Sequence, residues 1–258
     1  MPCLHDDIPA RTWRNRDLPL RSRVRPGYFT FLLRHSMRAA DRRLFVSAFS
    51  AERLAALAGG PRPSDVVTHE GITLPRRQVR PLAERRSEVV LLGSPLVHKR
   101  TAAGLDLLLA DAGIRSVADR VVVVGHLPDS ADRHGSLAID HRADPLTGDD
   151  LADLIAQSRL LVYPSAYEGF GLPPIEAYAL GTPAVHRSTA ASREVIPDVP
   201  GSYGEERPAD FAAAVTGALA LDDVRLGRLS EAMWARFDWN VVARTVADAL
   251  RADGSGAA

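Results

Sequence analysis

Glu168 and Glu176 stand on either side of a glycine turn in the stretch LVYPSAYEGFGLPPIEAYALGTP, residues 161–183. Gly169 and Gly171 lack side chains, so the N–H groups of the turn can approach a ligand closely. Pro173 and Pro174 fit only the start of a helix, and Gly181 with Pro183 marks its stop, which predicts a helix over 174–180. The first N–H groups of that helix have no acceptor within it and lie at the positive end of its dipole. An anion is therefore expected against Gly169, Phe170, Gly171 and Leu172, with the two carboxylates available to hydroxyl groups beside it. That is the chemistry of a phosphate-and-sugar site. If Glu176 only complemented the helix dipole, it would contribute about 0.3–1 kcal/mol, and the glycines would have no explanation.

Lys99 is the second pointer. It is the only lysine among 32 basic residues, in a chain that otherwise uses arginine for every positive charge. A compact point charge on a flexible stem suits a particular site rather than general solvation. Its setting is SEVVLLGSPLVHKR: an apolar strand over 89–92, a glycine, then a loop that delivers Lys99 to the head of a helix expected to run to Gly113.

Both pointers need a scaffold that brings loops to one edge, and the intervening sequence supplies it. Residues 159–164 and 120–125 (RVVVVG) are short apolar runs of buried-strand length, 183–187 is another strand, and 149–157 and 209–220 read as helices. Thr147 with Asp150 three residues on forms an approximate capping box. This alternation is that of a doubly wound α/β domain, whose ligands lie beyond the carboxyl ends of the strands. Strand ends at Gly93, Gly125 and Ser165 would then face one crevice. Residues 127–147, rich in Asp, Ser, Gly and Pro, are expected as a long functional or mobile loop. His126, His134 and His141 match no zinc spacing, so no metal site and no cofactor is expected.

EGFGLPPIEAYALGTPAV resembles the hallmark of the retaining family 4 glycosyltransferases of the GT-B fold, E-G-F-G-L-P-x-x-E followed by A-x-A-x-G-x-P. The resemblance implies a fold of two Rossmann-like domains and transfer of a sugar from a nucleoside-diphosphate donor to a hydroxyl acceptor, with retention of configuration. It implies that Glu168 faces the donor sugar, Glu176 binds the ribose, and the amides of the loop and Lys99 hold the diphosphate. Many members carry arginine after the glycine where this chain has Ser94, which leaves the diphosphate one charge-assisted partner short unless Arg100 or a residue from elsewhere substitutes. HDDIP at residues 5–9 resembles the family's H-D-x-x-P, which would put His5 at the acceptor side. RRLFVSAFSAERL resembles a later strand and helix with Ser50 as N-cap, and VVTHEGI the approach to the interdomain linker. RFDWNVVARTVADALR resembles the final helix that crosses back to the first domain, with Phe237, Trp239, Val242, Val246 and Leu250 on its buried face.

Length sets the expected domain boundaries. Residues 1–87 would form a partial first domain with its linker, 88–237 the complete nucleotide-sugar domain, 238–252 the returning helix and 253–258 a disordered tail. An incomplete first sheet would expose an edge, so a partner chain that completes it is an expected partner, and a non-catalytic nucleotide-sugar-binding subunit is the alternative function. A single cysteine, Cys3, and no signal-like start point to the cytoplasm. The formal net charge is zero, yet residues 1–100 carry a basic excess and the remainder an acidic one, which reads first as a solvated arginine-rich face, with peripheral contact with anionic lipid or binding of a phosphorylated acceptor as the alternatives, and nucleic acid is not expected.

Overall fold

The computed structural model describes residues 3–4, 20–128, 137–196 and 199–251. The chain gathers into two compact units, one of Met1–Glu70, Glu168–Phe170 and Trp239–Ala258, the other of Gly71–Tyr167 and Gly171–Asp238. His5, His134 and the tail 253–258 lie outside the described residues.

The first unit is a small parallel sheet in the order β1-β2-β3, made of β1 (Cys3–Leu4), β2 (Arg43–Phe45) and β3 (Asp65–Val67). Between its strands run α1 (Leu20–Ala39) and α2 (Ala48–Leu57), and Met37, Phe45, Leu54 and Leu57 form the core. Arg43 is fully buried in β2. Its guanidinium is held by both oxygens of Asp65 at 2.5 Å and by the Gly60 carbonyl at 3.0 Å, so the charge enters the interior paired. The N-cap of α2 is Ser47, not Ser50. Ser47 has the extended backbone that a cap requires, and its Oγ accepts from the Ser50 N–H at 2.9 Å, which makes Ser50 the third helical residue.

The returning helix also departs from expectation. The chain breaks at Asp238 between α9 (Asp223–Phe237) and α10 (Trp239–Arg251), so a periodicity counted from Phe237 is out of phase with α10. Val242 and Ala249 are buried, whereas Trp239 and Leu250 are about half exposed.

The second unit is a six-stranded parallel sheet in the order β6-β5-β4-β7-β8-β9. Its strands are β4 (Arg86–Gly93), β5 (Arg120–Gly125), β6 (Ala138–Arg142), β7 (Ser158–Tyr163), β8 (Ala184–Arg187) and β9 (Ser202–Tyr203). Val89, Leu91, Val121, Val123, Leu160 and Val162 fill its core, as expected of strands covered on both faces. The helices are α3 (Thr101–Ala110), α4 (Ala112–Val117), α5 (Gly148–Gln157), α6 (Leu172–Ala179), α7 (Ala190–Val195), α8 (Pro208–Leu219) and α9. Thr147 caps α5 by accepting from the Asp150 N–H at 3.1 Å.

Three expectations change here. The helix expected from Lys99 to Gly113 is divided, because the Asp111 carboxylate accepts from the Ile114 N–H at 2.9 Å and starts α4 as its own N-cap. The segment 127–147 is not all loop. Residues 138–142 add β6 to the sheet edge, in register with β5 from Arg120↔Ala138 to Val124↔Arg142. Residues 71–87 go with the second unit rather than the first, since they are tied to its helices. Arg77 pairs with Asp149 and Asp153 of α5, and the Leu82 N–H donates to Asp223 of α9. Buried Arg85 donates to the Gly181 carbonyl at the end of α6 at 2.8 Å, and burial lowers its pKa to about 10. Among the described residues no helix is long and apolar enough to cross a membrane.

Candidate functional site

The carboxyl ends of β4 and β5 are pressed together. Gly93 lies opposite Gly125, and a Cβ at Gly93 would stand 2.1 Å from the His126 carbonyl oxygen. Only a residue without a side chain allows that approach, and it fixes where the loop after β4 departs. That loop turns through a short 3₁₀ segment, Val97–Lys99. The His98 carbonyl accepts from the Ala166 N–H at 2.8 Å, which laces it to the loop after β7. Lys99 Nζ donates to the Tyr163 hydroxyl at 2.9 Å and lies 5.4 Å from the centre of that ring. The ammonium is thereby held at the end of β7.

Ser94 and Arg100 do other work. The Ser94 N–H and carbonyl both bond the Thr101 hydroxyl, at 3.0 and 2.9 Å, which closes the turn onto α3. Arg100, in the left-handed region at φ 53°, directs its guanidinium to Glu206, which also accepts from Arg187 at 2.7 Å. Hydrogen bonding from Arg100 holds the Glu206 carboxyl below the usual carboxylate range. Arg100 is thus engaged by a carboxylate rather than presented as the substitute cation. A cavity of about 390 Å³ beside these strand ends is lined by Ser94, Arg100, Thr101, Asp106 and His126.

α6 begins two residues earlier than the sequence suggests. Gly171, at φ 97°, is its N-cap, and the prolines occupy the second and third helical positions. The consequence is chemical. Pro173 and Pro174 have no N–H, so the amides at this end that the helix does not use itself are those of Gly171 and Leu172. Glu176 lies one turn in, almost wholly buried, with its Oε1 accepting from the Thr73 N–H at 3.1 Å and from the Thr73 hydroxyl. A buried carboxylate fixed through one oxygen presents the other in a set direction, which suits it to a ligand hydroxyl.

Glu168, Gly169 and Phe170 belong to the first unit. There the Gly169 carbonyl accepts from both Ser47 Oγ at 2.6 Å and Ser50 Oγ at 2.9 Å. Phe170 is buried with its ring 5.8 Å from that of His69. The motif residues thus divide between units, with Lys99, Gly171, Leu172, Glu176, Ser94 and Arg100 in the second. His5 lies outside the described residues. Among those described, no group of three or more His, Cys, Asp or Glu side chains is gathered as metal ligands are. His141 Nε2 instead lies 2.7 Å from the Gly125 carbonyl, at the sheet edge.

Sequence reasoning missed Thr73 and Tyr163, the partners that orient Glu176 and Lys99. They lie 103 and 64 residues away along the chain, a distance no local motif spans.

Comparison with known proteins gives a consistent result. A family model described as glycosyl transferases group 1 matches residues 86–220. The MMP alpha-(1->4)-mannosyltransferase of Mycolicibacterium hassiacum is 38% identical over 120 residues, covering 42% of this chain and 28% of that protein. The GDP-mannose-dependent alpha-(1-6)-phosphatidylinositol dimannoside mannosyltransferase of Mycobacterium tuberculosis is 30% identical over 169 residues, covering 64% of this chain and 44% of that protein. The chain therefore spans less than half the length of these curated relatives. Among solved structures, Anabaena HepE in complex with UDP-glucose superposes with a TM-score of 0.67 at 16% identity, over 88% of this chain and 69% of that one. Sucrose-phosphate synthase from Thermosynechococcus elongatus gives 0.64 at 21% identity, over 90% and 63%. These likenesses carry the fold, the α/β GT-B architecture expected from the sequence.

Proposed function

The chain belongs to the glycosyl transferases group 1 family, and from that membership we propose that it binds a nucleoside-diphosphate sugar and transfers the sugar to a hydroxyl acceptor with retention of configuration. The observation that carries this reading is the joint placement, in one unit, of Lys99 at the end of β7 and of an α6 N-terminus whose Gly171 and Leu172 amides remain unused by the helix. A diphosphate leaving group gains negative charge as the glycosidic bond breaks. An ammonium and a helix N-terminus already in place stabilise that charge without reorganising during the reaction. Glu176, oriented by Thr73, binds the ribose hydroxyls. Glu168 faces the sugar and His5 the acceptor, roles that follow from the motif resemblance.

Two mannosyltransferases among the relatives make a mannosyl donor the first choice. Binding requires no bound metal in this proposal, because Lys99 and the helix end supply the positive charge. Incubation of the protein with GDP-mannose or UDP-glucose and an alkyl mannoside acceptor, followed by NMR of the product, tests it. An α-linked product from an α-linked donor is expected, in EDTA as in buffer. A β-linked product overturns retention. Binding without transfer to a panel of acceptors leaves the nucleotide-sugar-binding subunit as the better reading.

A further inference from the structure

We propose that the second unit carries a further binding site, for a neutral oligosaccharide, at the amino ends of its strands. A cavity of about 500 Å³ lies there, between the segment 77–84 and the last turns of α5, a volume within the range of small-ligand sites. It is separate from the crevice of Lys99 and Glu176. Gln157, which lines the cavity, ends α5 and is followed directly by β7, whereas Tyr163, the partner of Lys99, stands at the other end of that strand. The 6 residues of β7, at ~3.3 Å each, put about 20 Å between the two.

The walls of the cavity are fixed by contacts within the unit. Arg77 is clamped to Asp149 and Asp153 of α5 at 2.5 Å each. The Leu82 N–H donates to Asp223 at 2.8 Å, and the Glu84 N–H closes a 3₁₀ turn on the Pro81 carbonyl at 3.0 Å. Buried Arg85 grips the Arg80 carbonyl with two N–H groups, at 2.7 and 3.1 Å. A site held in this way loses little conformational freedom when a ligand enters.

The side chains that line it point to the ligand's chemistry. Gln78, Arg80 and Glu84 on the segment and Gln157 on the helix make no side-chain hydrogen bond among the described residues. The two amides both donate and accept, the guanidinium donates and the carboxylate accepts. Charge is balanced as well, with Arg77 and Arg80 matched by Asp153 and Glu84, so neither an anion nor a cation is favoured. Val79 and Ala156 add apolar surface between the polar groups. A ligand that fits is neutral, carries donors and acceptors on adjacent atoms and has an apolar face. A pyranose meets all three conditions through its neighbouring hydroxyls and its C–H groups. The distance from the crevice makes this a hold on a part of a glycan remote from the reacting end, a role that rests on the glycosyl transfer proposed above.

NMR titration of the full chain with mannotetraose, in the presence of saturating GDP, tests the site. Backbone amides at 78–80 and 156–157 should shift, and those of Gly171 and Leu172 should not. Gln78→Ala with Gln157→Ala, and separately Arg80→Gln, should each weaken the sugar's affinity by about tenfold, as loss of one or two hydrogen bonds implies, with GDP affinity and thermal unfolding unchanged. Absence of sugar binding, shifts confined to Gly171 and Leu172, or variants that bind the sugar like the native chain would each overturn the proposal. A chain that binds mannotetraose at 78–80 and 156–157 but does not bind GDP would uphold this site and remove the donor reading, while the reverse result would remove this site alone.

Discussion

His186 sits on β8 with its Nδ1 3.2 Å from the Arg187 carbonyl, and burial pushes its imidazole down to about 4. The bond assigns the proton to Nδ1, and the buried Nε2 makes no hydrogen bond among the described residues. The folded pKa lies below the unfolded value, so the unfolded chain takes up the proton first as the solution is acidified. The neutral ring's contribution is present in full above about pH 6.5 and is lost as pH falls toward 4, a change of about 3 kcal/mol. Urea unfolding of the second unit should show that loss, and His186→Leu should flatten it over the same window. A native chain whose stability is level from pH 6.5 to 4 would mean that His186 is solvated.

Residue by residue, legibility followed chain distance. Lys99 was readable because it is the only lysine, and Glu176 because it falls in a motif that also contains its helix start. Thr73 and Tyr163, which orient them, are an ordinary threonine and tyrosine until the fold brings them near. The same holds for Asp65, which balances buried Arg43 from the next strand.

At the scale of elements, glycine shows how context reverses the effect of one substitution. A Cβ at Gly93 would collide with the His126 backbone at 2.1 Å, while one at Gly227, inside α9, meets nothing within 4 Å. Gly93→Ala should therefore cost about 1–3 kcal/mol through overpacking of the β4 and β5 ends. Gly227→Ala should stabilise by roughly 0.5–1 kcal/mol through helix propensity. Thermal unfolding of the two variants should move in opposite directions, and equal shifts would contradict the close approach at Gly93.

Strands β4, β5 and β7 were legible because burial on both faces leaves them as uninterrupted apolar runs. β6 was not, since AIDHR is a short edge strand with only partial burial, embedded in a polar segment. α1 escaped notice for the opposite reason. Its core-facing Leu33 and Met37 and its exposed Val24, Tyr28 and Phe31 together erase the one-sided pattern by which an amphipathic helix is recognised. Ser47 was missed as a cap because Ser50 offers a second start three residues on, and Asp111 because one helix was read through it to Gly113.

For the whole molecule, the division into two units separates the chemistry by what each part supplies. The second unit holds the cation, the α6 amides and the oriented Glu176, while Glu168, Gly169 and Phe170 go with the first. The basic excess of residues 1–100 includes the five arginines of α1, at 21, 23, 25, 34 and 38, with the other basic residues spread through the rest of that stretch. The central claim is that the second unit carries a nucleoside-diphosphate site built on Lys99 and Glu176, and calorimetric titration with GDP and UDP tests it most directly. The native chain should bind at least one of them in the presence of EDTA. Lys99→Ala should weaken that binding by about tenfold to a hundredfold, as loss of a charged hydrogen bond implies, and Glu176→Gln should weaken it too, with thermal unfolding of both variants near native. Affinity unchanged in both folded variants would contradict the account.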